Sequence, residues 1–353
     1  MSSIVPIFIV HEGCPYQCIF CNQHAISGQT AKKVHVNEVA STIEIWLDRA
    51  GRKAPVEVAF YGGSFTCLPQ GRQDELLGAV APFISKGLVH SIRVSTRPDY
   101  IDSGRVGQLK ESGVKLVELG AQSLDDEVLR CSGRGHTSQD VHQAVHVLQM
   151  NKMQVGLQLM LGLPGQDFLS LRSTLRQVVA LHPDCVRIYP ALVVAGSGLA
   201  KAYRAGKFSP LSLEKAVLQA ALLKKIFMHN KIKVIRMGLQ SGKSLEDSLI
   251  AGPYHPAFGE LVASRLMLQQ TRRLLENGTG KQRLVINPGD MSIFKGMRSH
   301  NIDILSALGL LERMELVTDI SQPRYKISAT EGRKEYAQYH KSTAPVREQT
   351  YFS

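Results

Sequence analysis

The stretch IVPIFIVHEGCPYQCIFCNQ, residues 4–23, joins an apolar run to three cysteines within eight residues, Cys14, Cys18 and Cys21. The run at 4–10 is rich in β-branched residues and reads as a buried strand, with the cysteines in the loop that follows it. The same order recurs downstream. VEVAFY (56–61) runs into Gly62, Gly63 and Ser64, SIRVST (91–96) into Arg97, and LVELGA (116–121) into Gln122 and Ser123. QVGLQLML (154–161) runs into Gly162 of a GLPG turn, and CVRIYP (185–190) ends around Tyr189. Amphipathic segments at 37–50, 71–85, 102–112, 138–150 and 167–181 separate these runs. Strands alternating with helices at this spacing make βαβ units and a parallel sheet. Every polar cluster falls just after a strand, which favours a curled sheet. In a barrel all C-terminal strand ends converge on one mouth, whereas a doubly wound sheet gathers only the loops at its switch point. The expected fold is α/β, a partial TIM-like (βα)6 barrel over residues 1–240. A basic C-terminal α/β extension at 241–340 and a mobile tail at 341–353 are expected to follow it.

Composition narrows the class of protein. Among 353 residues, 44% are hydrophobic and 20% charged, so the chain can fill a core and is not of the disordered kind. No apolar run reaches membrane-spanning length. The start, MSSIVPIFIVHEG, lacks the basic flank and small-residue cleavage site of a secretory signal, so a cytoplasmic location without membrane attachment is expected. In a reducing compartment clustered thiols point to metal binding or catalysis before disulfides. The net charge of +12 is uneven: residues 1–200 carry 18 Lys/Arg against 17 Asp/Glu, and residues 201–353 carry 24 against 13. A basic second half suits a polyanion, nucleic acid first, although a merely soluble basic surface would give the same count.

Three thiolates from one loop can fill three corners of a metal centre. A closed zinc site wants four ligands, and His11 or His24 would have to supply the fourth. A cubane iron–sulfur cluster can instead take three thiolates and leave one iron open to a non-protein ligand. The other clusters carry their own alternatives. Gly62 and Gly63 either let a ligand approach the backbone or simply make a tight turn. Arg97 either clamps a carboxylate or pairs with Asp99 at the surface. Ser123 either meets a ligand or caps the acidic turn at Asp125–Glu127. Gly162 and Tyr189 line a ligand or pack the barrel. Arg134 and His136, between the glycines of SGRGHT (132–137), contact substrate or sit in an exposed loop. Tyr254 and His255 in GPYHPAFGE (252–260) suggest a shaped loop at a substrate edge, and Cys67 is either a thiol near the mouth or a small buried apolar group.

C-x3-C-x2-C with Phe20 before the last cysteine resembles the signature of the radical S-adenosylmethionine superfamily. The resemblance implies a [4Fe-4S] cluster on Cys14, Cys18 and Cys21, with S-adenosylmethionine on the open iron. One-electron cleavage then gives methionine and a 5′-deoxyadenosyl radical that takes hydrogen from a substrate. It also assigns Gly62, Gly63 and Ser64 to the methionyl amino group and the GLPG segment to adenine. Low-potential electrons from a donor such as ferredoxin or flavodoxin are implied as well. HEGCPYQCIFCNQ, FYGGSFTCLP, STRPDYI, VELGAQSLDDEVLRCSGRGHT, VRIYPALVV and AGPYHPAFGE are similar, over about residues 4–265, to the radical part of the Elongator catalytic subunit and its short bacterial relatives. That kinship implies tRNA as substrate. Two departures separate this chain from the Elongator subunit: its first cysteine gap is short, and no acetyl-coenzyme A domain follows before residue 353. The expectation is therefore radical chemistry on RNA without the carboxymethyl route. A small-molecule or protein substrate, and a zinc-stabilised nucleic-acid-binding module, remain the competing readings.

Overall fold

The computed structural model describes residues 3–29, 33–49, 51 and 56–330. The tail expected from 341 lies outside the described residues. The chain divides into two compact units, Met1–Val262 and a second beginning at Ala263.

The first unit is built on β1 (Ile4–Phe8), β2 (Val56–Tyr61), β3 (Val89–Thr96), β4 (Val114–Gln122), β5 (Gln154–Leu161) and β6 (Cys185–Pro190). A seventh strand, Lys233–Met237, completes the sheet, and the strands lie in chain order with every pairing parallel. Six strand–helix units were expected. The helix Leu213–His229 returns the chain for one more, because it repeats the unit after a pause rather than opening a new domain. This is the curled half-barrel of a TIM-like fold. Helix boundaries follow the periodicity to within a residue or two, with one exception. The segment 71–85 breaks into Gln70–Gly78 and Ala81–Ser85, where Pro82 lacks the N–H needed to continue a helix but is well placed in the first turn of a new one.

Successive side chains of a strand point to opposite faces. Ile92, Val94, Val117 and Leu119 are buried on the core side. The alternate positions turn inward, and several of them are charged. Glu118 is 1% exposed. It accepts from Arg93 Nη1 at 2.9 Å and from Arg187 Nε and Nη2 at 2.6 and 2.9 Å. Arg93 also pairs with Glu57, and Arg187 Nη2 donates to the Tyr61 hydroxyl at 2.7 Å. Two carboxylates thus answer two guanidiniums inside the barrel, as buried charges require.

In the second unit, strand Gln282–Ile286 pairs parallel with Met314–Thr318 and antiparallel with Ile327–Thr330. The apolar spacing of 299–313 reads as a single helix, yet the helix runs only over His300–Ala307, ends at Leu308 with Gly309 at φ +65°, and gives way to the strand Met314–Thr318. Met267, Leu275, Leu284, Ile286, Phe294 and Leu305 form its core.

Candidate active site

A cavity of about 620 Å³ opens at the strand ends of the first unit. It is lined by Cys14, Cys18, Phe20, Cys21, Gly62, Gly63, Ser64, Arg97, Gln122, Arg134 and Tyr189, residues gathered from five different strand ends. A TIM-like sheet brings such residues together in this way.

The cysteine loop is held from several sides. Glu12 receives Arg72 Nε at 3.2 Å, and the Glu12 carbonyl accepts from Ser64 N–H at 3.0 Å. Ile19 N–H donates to the Ser132 carbonyl, and the Ile19 carbonyl accepts from Leu199 N–H at 2.7 Å. Asn22 caps the helix Gln23–Ser27 and reaches the Ala195 carbonyl at 2.6 Å. The paired glycines serve this packing. A Cβ on Gly63 would stand 2.2 Å from the Glu12 carbonyl oxygen, and one on Gly13 would stand 2.3 Å from that of Ser64. The two loops can touch only because neither residue has a side chain.

The three thiols share one electrostatic environment. Burial and then the neighbouring Cys18 raise the Cys14 thiol, and burial, Cys18 and Cys14 push Cys21 up to about 12. Arg134 acts against both shifts. It is buried, donates from Nη1 to Cys18 Sγ at 3.0 Å and from Nη2 to the Gly120 carbonyl at 2.5 Å, and keeps a buried Nε with no partner. Thiolates crowded in this way call for added positive charge. Among the described residues no three His, Cys, Asp or Glu side chains converge as a single-ion site requires. A single tetrahedral ion with Zn–S bonds of about 2.3 Å needs sulfurs only about 3.8 Å apart. A cubane gives each thiolate its own iron. The donor set therefore fits a cluster. Of the two histidines considered as a fourth zinc ligand, His11 accepts from Gln23 N–H at 3.3 Å and His24 turns its Nδ1 to the Gln29 carbonyl at 3.1 Å.

Other residues expected at the site divide into those that face the cavity and those that do not. Gln122 faces it with φ +66°, where a register shift in β4 re-aims the chain, and such strain concentrates at functional positions. Arg97 lines the cavity but gives Nε and Nη2 to Asp99 at 2.9 and 2.8 Å, a buried pair rather than a surface one, and lies over the Tyr16 ring at 4.7 Å. The Ser64 hydroxyl is spent on Thr96 Oγ1 at 3.1 Å, Arg97 N–H at 3.2 Å and Cys67 Sγ at 2.9 Å, and its backbone on Glu12 and Cys67. Ser123 is fully buried against Thr174, and Asp125, not Ser123, caps the helix Asp126–Cys131. Gly162 does not line the cavity; its φ is +74° and a Cβ there would meet Leu211 at 2.8 Å. His136 is buried away from it, and burial, Arg134 and Arg97 lower it to about 3. Tyr254 donates to Glu246 at 2.6 Å, and His255 Nδ1 accepts from Ala257 N–H, both outside the cavity. Sequence reasoning missed Tyr61, Gln158, Arg187 and Arg236 on the inward rows, and the segment Leu239–Leu245. The inward rows were findable from strand alternation.

A curled parallel half-barrel with three cysteines at its first strand end defines an α/β enzyme scaffold with a rim centre. Comparison with known families places it further. The family model described as the radical SAM superfamily matches residues 8–178, and one described as a radical SAM C-terminal domain matches 183–268. The chain belongs to the radical S-adenosylmethionine superfamily. Similar curated proteins include the tRNA uridine(34) acetyltransferase of Dehalococcoides mccartyi, 26% identical over 60% of this chain and 53% of that one. That of Methanocaldococcus infernus is 33% identical over 35% of this chain and 24% of that one. Human Elongator complex protein 3 is 27% identical over 44% of this chain and 32% of its own length. The chain thus matches about a quarter to a half of these relatives' length. A solved structure of Methanocaldococcus infernus Elp3 shares the fold, with a TM-score of 0.60 at 21% identity, covering 76% of this chain and 64% of that one.

Proposed function

We propose that this protein is a radical S-adenosylmethionine enzyme acting on RNA, with tRNA as the substrate class. One observation carries the reading: three thiols from one loop, the Gly62–Gly63 backbone and Gln122 line a single cavity at the strand ends. Cys14, Cys18 and Cys21 would hold a [4Fe-4S] cluster, and the strand-end groups would hold S-adenosylmethionine. When bound, that pair supplies one-electron cleavage of a carbon–sulfur bond and hydrogen abstraction from a substrate, with electrons from a donor such as ferredoxin or flavodoxin.

The chain's own residues prepare the site. Arg134 donates to Cys18 and balances the negative charge of crowded thiolates. Phe20, packed near Val128, Leu163 and Leu199, seats the loop between the second and third cysteines. Tyr61, pushed up to about 12 by burial and Glu118, stays a neutral phenol on the cavity wall. Tyr189 is likewise raised, chiefly by burial. The basic second half of the sequence supports a polyanionic partner, and the names of the relatives support tRNA. Among the described residues no helix is long and apolar enough to cross a membrane. The test is nucleoside analysis of tRNA from cells with and without the gene. One modified nucleoside should vanish with the gene; identical profiles, together with no tRNA binding at low salt, would overturn the RNA reading.

A further inference from the structure

Among the described residues no Asp or Glu lines the cavity, yet Arg97, Arg134, Arg187, Arg236 and Lys243 all do. Three of the five are already answered: Arg97 by Asp99, Arg187 by Glu118 and Arg134 by the Cys18 sulfur. Arg236 gives only its Nε to the Gly238 carbonyl at 3.2 Å, and among the described residues no carboxylate pairs with it or with Lys243. Gln240, Ser241 and Ser244 line the same wall. These residues follow the seventh strand, where the chain turns at Gly238 (φ +75°), whose Cβ position is filled by Phe258 at 2.8 Å. The segment is fixed to the cysteine loop's own helix. Leu245 packs with Ala25 and Val194, and Ser244 Oγ donates to the His24 carbonyl at 3.5 Å.

We infer that Arg236, Lys243 and the Gln240–Ser241 turn form a phosphate subsite that orients a nucleotide substrate toward the thiols. A lone carboxylate would be satisfied by one planar guanidinium. Two separate cations with amide and hydroxyl donors between them suit a tetrahedral oxyanion that accepts from several directions. The subsite rests on the proposed reading of the cavity as an active site for nucleotides and specifies which wall holds the phosphate.

The test measures binding of uridine, uridine 5′-monophosphate, a single-stranded RNA heptamer and S-adenosylmethionine. Wild type is compared with Arg236→Gln, Lys243→Gln and the distant exposed Lys110→Gln, each checked for unchanged folding by circular dichroism. Each subsite substitution should weaken the monophosphate, the heptamer or both about tenfold. Uridine and S-adenosylmethionine should be unaffected, and Lys110→Gln should match wild type. For the heptamer, each should lower the logarithmic salt slope by about 0.7. Loss with the heptamer alone assigns an internal phosphodiester, and loss with the monophosphate alone assigns a terminal phosphate. Loss confined to S-adenosylmethionine, or none with either phosphate probe, overturns the subsite. Failure of the heptamer to bind wild type at low salt would break the RNA reading but leave the monophosphate result standing.

Discussion

The barrel's interior and its mouth use the same strands and treat charge in opposite ways. Inside, Glu57 and Glu118 neutralise Arg93 and Arg187. At the mouth, Arg134 faces a thiol rather than a carboxylate, and among the described residues no carboxylate pairs with Arg236 or Lys243. Charge inside a protein is stable only when answered. The paired network holds the scaffold, and the cations at the strand ends that no carboxylate answers mark where a ligand would supply the missing partner. The contrast separates structural residues from functional ones without reference to any relative.

Breaking the interior should have the largest effect on stability. Glu118→Ala strands two buried guanidiniums and should cost about 3–5 kcal/mol, read by denaturant unfolding. A cost below 1 kcal/mol would mean the network is not structural. Next comes the seat of the cysteine loop. Gly63→Ala drives a methyl into two backbone carbonyls and should cost about 1–3 kcal/mol while iron loading falls with it. Arg134→Met should leave stability near wild type. It should lower the cluster's midpoint potential, because a hydrogen bond to a ligand sulfur is lost, and reduce activity about 10–100-fold. An unchanged potential would make Arg134 a packing residue.

The smallest effect is pH-dependent. Burial alone would raise Glu118, but Arg187 and Arg93 override it and hold the carboxyl below its ordinary value near 4.5. A depressed folded value means this stabilisation is complete above pH 4.5 and fades as pH falls through the lower folded value. Thermal melting of wild type should therefore drop more steeply below pH 4.5 than that of Glu118→Gln. Parallel curves would count against the network's ionisation.

Much of this was legible in the sequence, and the limits have physical causes. The cysteine loop reads directly because its spacing is local, and six strands read from continuous apolar runs. The seventh strand also reads, as VIRMGL at 234–239, but its alternating charge and apolar residues do not show that it joins the same sheet. The direction of the Ser64 hydroxyl and the pairing of Arg134 with Cys18, 116 positions away, depend on tertiary contact alone. The sequence left Ser123 open between a ligand role and a helix cap, and its packing against Thr174, with Asp125 as the cap, depends on tertiary contact. The Leu239–Leu245 wall carries no strong motif and becomes visible only as part of the cavity.

Anaerobic reconstitution with iron and sulfide, comparing wild type with Cys18→Ala, tests the central claim most directly. Wild type should turn brown, hold about four irons per chain as a cubane implies, and release 5′-deoxyadenosine from S-adenosylmethionine only with a reductant. Cys18→Ala should lose all three while melting within a few degrees of wild type. A colourless, zinc-loaded wild type, or a variant that unfolds for want of the metal, would contradict it.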